Sequence, residues 1–199
     1  MKTYLLLLGI IFSANLFAQI GEVKFREETF DNGMTYPQVI TESAPEVESS
    51  INANILEQLK DIEASDFCIG QFGYVQKGMH LQIHIFCNCI DFDESENRFF
   101  LYNLESGAAV PYSDLLGAKR KEATGNFLVE KVREYLGENQ SELSEEMYTE
   151  IGTKNLDAFK VEMTKAGLNI SLPDFPKWGE KPLLITWGEL RSFLRVNYI

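Results

Sequence analysis

Phe67-Cys68-Ile69-Gly70-Gln71-Phe72-Gly73-Tyr74-Val75-Gln76-Lys77-Gly78-Met79-His80-Leu81-Gln82-Ile83-His84-Ile85-Phe86-Cys87-Asn88-Cys89-Ile90-Asp91 carries the clearest structural signal in this 199-residue chain. From Met79 onward, Leu81, Ile83, Ile85 and Cys87 alternate with His80, Gln82, His84 and Phe86. Successive side chains on a strand point to opposite faces, so this is a long strand with one apolar side. Lys77-Gly78 reads as a two-residue turn, which pairs Gln76 with Met79, Tyr74 with Leu81, Phe72 with Ile83 and Cys68 with Cys87. A slip of one residue would set Tyr74 against His80 and scramble the faces. Opposed strand residues lie about 4.5–5.5 Å apart at Cα, within disulfide reach, so a Cys68–Cys87 bridge is expected. Cys89, two residues further on, is the rival partner, and the odd count of three Cys leaves one thiol over.

Working outward, Gly21 to Ile40 is strand-like around an Asp31-Asn32-Gly33 turn. Pro45 opens a helix, where its missing N–H costs nothing, and Ile51, Ile55, Leu59 and Ile62 form one apolar stripe. A strand over Arg98 to Leu104 follows the acidic loop Asp93-Glu94-Ser95-Glu96-Asn97. Phe127, Leu128, Val132, Tyr135 and Leu136 stripe one further helix, and Leu143, Met147 and Ile151 another. Phe159, Val161 and Met163 alternate into a Lys165-Ala166-Gly167 turn, and Leu168, Ile170 and Leu172 alternate out of it. Leu183 to Ile185 is a last strand, and Thr186-Trp187-Gly188-Glu189 is a capping box. Hairpins with segregated helices define an α+β fold, an antiparallel sheet with helices packed on one face.

Met1 to Ala18 has the layout of a secretory signal peptide: Lys2, an apolar run from Leu5 to Phe12, and Ala18 before Gln19. The run is shorter than the roughly 20 residues of a membrane span. The expectation is a secreted or periplasmic protein without a membrane span after cleavage, residues 19–199 forming a single domain. Losing Lys2 leaves 17 basic against 30 acidic side chains, a formal charge of −13. Such a surface repels nucleic acid and draws basic partners. A hydrophobic content of 45% is incompatible with disorder over most of the length.

Motifs for chemistry are sparse. His80 and His84 share a strand face but stand about 13 Å apart, too far for one ion, and an ordinary polar sheet face accounts for them. Asp91-Phe92-Asp93-Glu94-Ser95-Glu96-Asn97 begins like a calcium loop, yet Glu96 stands where Gly is needed and Tyr102 where Glu is needed. Cys89 lies on the apolar face, where burial silences a thiol. No nucleophile elbow is present, and no carboxylate pair is singled out by spacing. No catalytic residue, no cofactor and no metal is expected. Pro173-Asp174-Phe175-Pro176-Lys177-Trp178-Gly179 places Phe175 and Trp178 in a Pro/Gly-rich loop, where aromatics stack on sugars or anchor proteins.

The order of motifs is similar to a known family. Tyr36-Pro37-Gln38-Val39, Val47-Glu48-Ser49-Ser50-Ile51, Tyr102-Asn103-Leu104-Glu105-Ser106-Gly107, Pro111-Tyr112-Ser113-Asp114-Leu115-Leu116, Phe159 to Ile170 and Ile185-Thr186-Trp187-Gly188-Glu189-Leu190 follow one another across the mature chain. Together they resemble the extracytoplasmic domain of RsiV-type anti-sigma factors, found also beside the PdaC-type peptidoglycan deacetylase domain. The resemblance implies an α+β sensor or binding domain whose ligand is lysozyme, a basic protein. The chain departs from it in having no sigma-binding region, retained membrane helix or deacetylase domain. The resulting expectation is a non-catalytic envelope binding domain for a lysozyme-like basic protein or cell-wall glycan. An envelope hydrolase is the alternative, and a purely structural envelope module the third reading.

Overall fold

The computed structural model describes residues 23–42, 44–116, 121–137, 143–154, 156–171 and 182–194. Phe175 and Trp178, and the segment from Met1 to Ala18, lie outside them. Among the described residues three antiparallel sheets and five α-helices form the α+β architecture that the hairpin pattern predicts. Strands β1 (Lys24–Thr29) and β2 (Thr35–Ile40) make a two-stranded ribbon. Helices α1 (Pro45–Gln58) and α2 (Lys60–Glu63) lead into the middle sheet β3 (Cys68–Lys77), β4 (His80–Cys89) and β5 (Glu96–Asn103). Helices α3 (Lys121–Leu136) and α4 (Glu145–Thr153) precede the third sheet, β6 (Lys160–Met163), β7 (Gly167–Ser171) and β8 (Leu183–Thr186), and short α5 (Trp187–Leu190) follows.

Two apolar clusters divide the interior. The stripe is buried as its spacing predicts, although the helix breaks at Leu59: Ile51 and Ile55 of α1, Leu59 at the break and Ile62 of α2 are fully buried in one cluster with Leu81, Ile83 and Ile85 of β4. Burying such a side chain stabilises by roughly 1.5–3 kcal/mol, which makes this stripe the main tie between helix and sheet. Asn52 of α1 closes the inner edge of β2: its side chain accepts from Val39 N–H at 2.8 Å and donates to Val39 O at 2.9 Å. The second cluster joins α3 (Leu128, Val132) and α4 (Tyr148, Ile151) to Val161, Leu168, Ile170 and Ile185 of the third sheet.

The central hairpin runs in a register two residues away from the expected one. Lys77 faces His80, Tyr74 faces Ile83, Phe72 faces Ile85 and Cys68 faces Cys89. A slip of two keeps every side chain on its face, so alternation is blind to it. Turn chemistry decides instead. Gly78 takes φ 56° at the first central position, which a primed hairpin turn reserves for a left-handed residue, whereas the expected register would put Lys77 there. The disulfide follows the register: it joins Cys68 to Cys89, not to Cys87, which is left as a buried thiol. Burial pushes the Cys87 thiol up from its ordinary pKa.

The polar face of β4 is also not an open one. The third sheet covers its turn end, leaving His80 and Gln82 each 2% exposed. Gln82 is satisfied as a strand residue would be, accepting from Met163 N–H at 2.5 Å and donating to Met163 O at 3.1 Å. Tyr112, in a single 3-10 turn over Tyr112–Leu115, donates to Gln82 Oε1 at 2.6 Å, and burial raises its phenol pKa. His80 Nε2 lies 2.9 Å from Asp114 on that turn, while His84 Nε2 meets Asn97 at 2.8 Å. The two His therefore serve different local contacts.

Candidate binding cleft

β3 is an end strand of its sheet, and a cleft of about 850 Å³ opens along it. Phe72 to Lys77 form its floor, Phe25 and Glu27 of β1 one wall, and Thr164, Lys165 and Trp187 the other. Pairing places Phe72 and Tyr74 on the same face as Ile83 and Ile85, but at the sheet margin Tyr74 stays 45% exposed. Phe25 lies over both rings, with centroids 4.1 Å from Tyr74 and 6.1 Å from Phe72. The β1 backbone is held there by Val23 N–H, which donates to the Gln76 side chain at 3.2 Å.

The opposite wall is fixed by the β6–β7 turn. Thr164 N–H donates to Gly167 O at 2.8 Å, Trp187 N–H donates to Ala166 O at 3.1 Å, and the Trp187 indole donates to Thr164 O at 3.1 Å. The indole is thereby oriented, and Lys77 Nζ stands 5.4 Å from its centroid, a cation–π contact. Trp187 opens α5, whose capping box is the predicted one: Thr186 Oγ1 accepts from Glu189 N–H at 3.3 Å, and Glu189 accepts from Thr186 N–H at 2.9 Å.

Glu189 also pairs with Lys131 of α3 at 2.7 Å. The Lys131 hydrogen bond first, then those from Thr186, hold its carboxyl at about 2 against an ordinary 4.5. A carboxyl depressed on folding stabilises the fold above its unfolded pKa, and that contribution is lost as pH falls through the folded value. The melting temperature of wild type should therefore exceed that of Glu189→Gln fully above about pH 4.5, with the gap closing toward pH 2. An unchanged gap down to pH 2 would mean that the charge of Glu189 plays no part.

Electrostatically the cleft has two ends. Lys77 and Lys165 stand at the end nearest the β3–β4 turn, and no carboxylate among the described residues pairs with either. Among the described residues Glu27 is the single carboxylate lining the cleft, and it follows Phe25 by two positions on β1. β1 passes β3 with Val23 beside Gln76 and Phe25 beside Phe72, which puts Glu27 toward the far end. The aromatic rings lie between the two charged ends.

None of these lining residues stands out as a site in the sequence. Phe72 and Tyr74 read as core-facing strand residues, and Trp187 as a helix-start residue; what makes them a site is that no strand among the described residues pairs with the outer edge of β3 over Phe72 to Lys77. No helix among the described residues is long and apolar enough to cross a membrane.

No family profile matches the sequence, and no curated protein does. Among the solved structures to which the chain is similar are two proteins of one description. One is described as a DUF3298 family protein from Pseudomonas aeruginosa PAO1; it is 11% identical, the match covers 89% of this chain and 95% of that one, and the TM-score is 0.49. The other is described as a member of the DUF3298 family from Bacteroides fragilis NCTC 9343; it is 11% identical, with 88% and 93% covered and a TM-score of 0.43.

Proposed function

We propose that this chain is a non-catalytic binding domain acting outside the cytoplasm, and that its ligand seats in the cleft along β3. The observation that carries the reading is the set of four aromatic rings, Phe25, Phe72, Tyr74 and Trp187, gathered around one open cleft. Such rings give large contact area at low cost in side-chain entropy, and they dominate measured binding energies. Export is supported by the signal-peptide layout and by the Cys68–Cys89 bridge, since disulfides persist in oxidising compartments. The finer reading, a lysozyme-like basic protein as ligand, is supported by the motif resemblance and by a charge of −13 that steers basic partners. Glycoside hydrolysis uses a pair of carboxylates about 5–9.5 Å apart, whereas among the described residues Glu27 is the one carboxylate in the lining, which supports binding over hydrolysis at this site.

Titration calorimetry of the mature protein with a lysozyme, at low and high salt, tests the reading. Binding should weaken as salt rises, because the Debye length falls from about 10 Å at 0.1 M to about 3 Å at 1 M. Tyr74→Ala and Trp187→Ala should each weaken it roughly tenfold or more, about 1.4 kcal/mol. Variants that bind lysozyme like wild type would remove the cleft from the account. Absence of heat with lysozyme and with an N-acetylglucosamine oligomer at millimolar concentration would remove both proposed ligands.

A further inference from the structure

The cleft floor is a strand edge, and its backbone narrows the kind of ligand that fits. In an antiparallel pair, alternate residues aim their N–H and C=O at the partner and the remainder aim them away. The parity in β3 is fixed at its start. Ile90 N–H donates to Phe67 O at 3.0 Å, so odd-numbered residues face β4, and Cys68 N–H donates the other way, to Asn32 O at 3.0 Å. The register then runs unbroken from Cys68 to Lys77. Phe72, Tyr74 and Gln76 therefore turn their N–H and C=O groups away from β4, toward the cleft. No strand among the described residues pairs with that edge beyond Cys68.

We infer that the β3 edge receives an extended polypeptide segment, added to the sheet as a further strand, with an acidic side chain of that segment lying between Lys77 and Lys165. The inference rests on the reading of the cleft as a binding site and names the chemistry of its occupant. Alternating donors and acceptors spaced along a strand are matched by another extended main chain, which is how strand addition obtains its affinity. Six residues, Phe72 to Lys77, give a seat of about 20 Å at roughly 3.3 Å per residue. Phe25, Phe72 and Tyr74 then meet alternate side chains of the guest on one face. On the other face Gly73 offers open space, since a Cβ built there meets nothing within 4 Å. The charge polarity sets direction: the guest's acid belongs at the Lys77/Lys165 end, and its other end passes Glu27. Proteins commonly guard exposed edges with lysine, and Lys77 does so here until a partner of opposite charge arrives.

The test uses the mature protein and a displayed library of random eight-residue peptides, counter-selected on the double variant Lys77→Glu, Lys165→Glu. Enriched peptides should alternate apolar residues and share an acid near one end. A synthetic winner, N-methylated on one alternate set of residues, should lose at least tenfold in affinity. The same peptide methylated on the other set should stay within about threefold, because only one set of amides faces β3. Exchanging its acid for lysine should abolish binding to wild type and restore it to the double variant. Equal tolerance of both methylated peptides, or no enrichment at all, would overturn strand addition. If an N-acetylglucosamine oligomer or lysozyme then still binds in a Tyr74-dependent way, the cleft survives as a binding site with another occupant. If neither does, both proposals fall together.

Discussion

Replacing Cys68 and Cys89 together by alanine lowers the stability of the oxidised protein by about 3 kcal/mol, the value expected for cross-linking a loop of this length. The two residues are 21 apart in sequence, so the bridge removes a moderate amount of freedom from the unfolded chain. It closes the end of the hairpin farthest from the turn, where Cys68 also anchors the β1–β2 ribbon through its N–H. Alanine is the appropriate replacement because both sulfurs are buried and a serine hydroxyl would need a new partner. For a chain of this size the loss corresponds to a fall in melting temperature of roughly 6–12 °C. Reduction of wild type should reproduce the fall, and Cys87→Ala should leave the bridge intact. Non-reducing peptide mapping provides the direct check: a Cys68–Cys89 peptide, with Cys87 alkylated only after unfolding. A Cys68–Cys87 peptide would contradict the register as well as the bridge.

Gly125→Ala is expected to cost about 2–3 kcal/mol, whereas Gly152→Ala changes stability by less than about 1 kcal/mol. Helix propensity alone makes the opposite forecast, since alanine is favoured over glycine by about 1 kcal/mol in any helix interior. The difference lies in how α3 crosses α4. A Cβ on Gly125 would stand 1.9 Å from the carbonyl oxygen of Gly152 and 2.8 Å from its carbon, both backbone atoms that cannot rotate away. The reverse substitution meets only Val129 Cγ2 at 3.3 Å, a side chain that can adjust. Denaturant unfolding of the two variants measures the contrast. Stabilisation by both would mean that the helices do not approach so closely.

The contrast between these helices and the central hairpin shows where sequence reasoning reaches its limit. Alternation over Met79 to Cys87 names the strand, its core face and its hairpin partner, because burial enforces a period of two. The same period conceals a register slip of two, and only the requirement for Gly78 at the first central turn position discriminates. His80 and Gln82 read as an ordinary polar sheet face because nothing in their spacing reveals that Asp114 meets the one and Met163 and Tyr112 the other from further along the chain. Stripes on α3 and α4 are legible, but the glycine contact between them depends on a crossing angle that periodicity does not encode. The cleft is hidden for a related reason. Phe72 and Tyr74 carry the signature of core residues, and only the strand order, with β3 outermost, leaves them open to a ligand. Phe175 and Trp178, the aromatics that sequence brings forward for binding, lie outside the described residues, and their role in binding stays a proposal.

Heteronuclear NMR on isotope-labelled mature protein tests the central claim most directly. Amide shifts are followed while a lysozyme, an N-acetylglucosamine oligomer or a selected peptide is added. The account predicts saturable changes at Phe25, Glu27, Phe72 to Lys77, Thr164, Lys165 and the Trp187 indole, with amides on α3 and α4 unmoved. Saturable binding that shifts residues elsewhere while the cleft amides stay in place would contradict it.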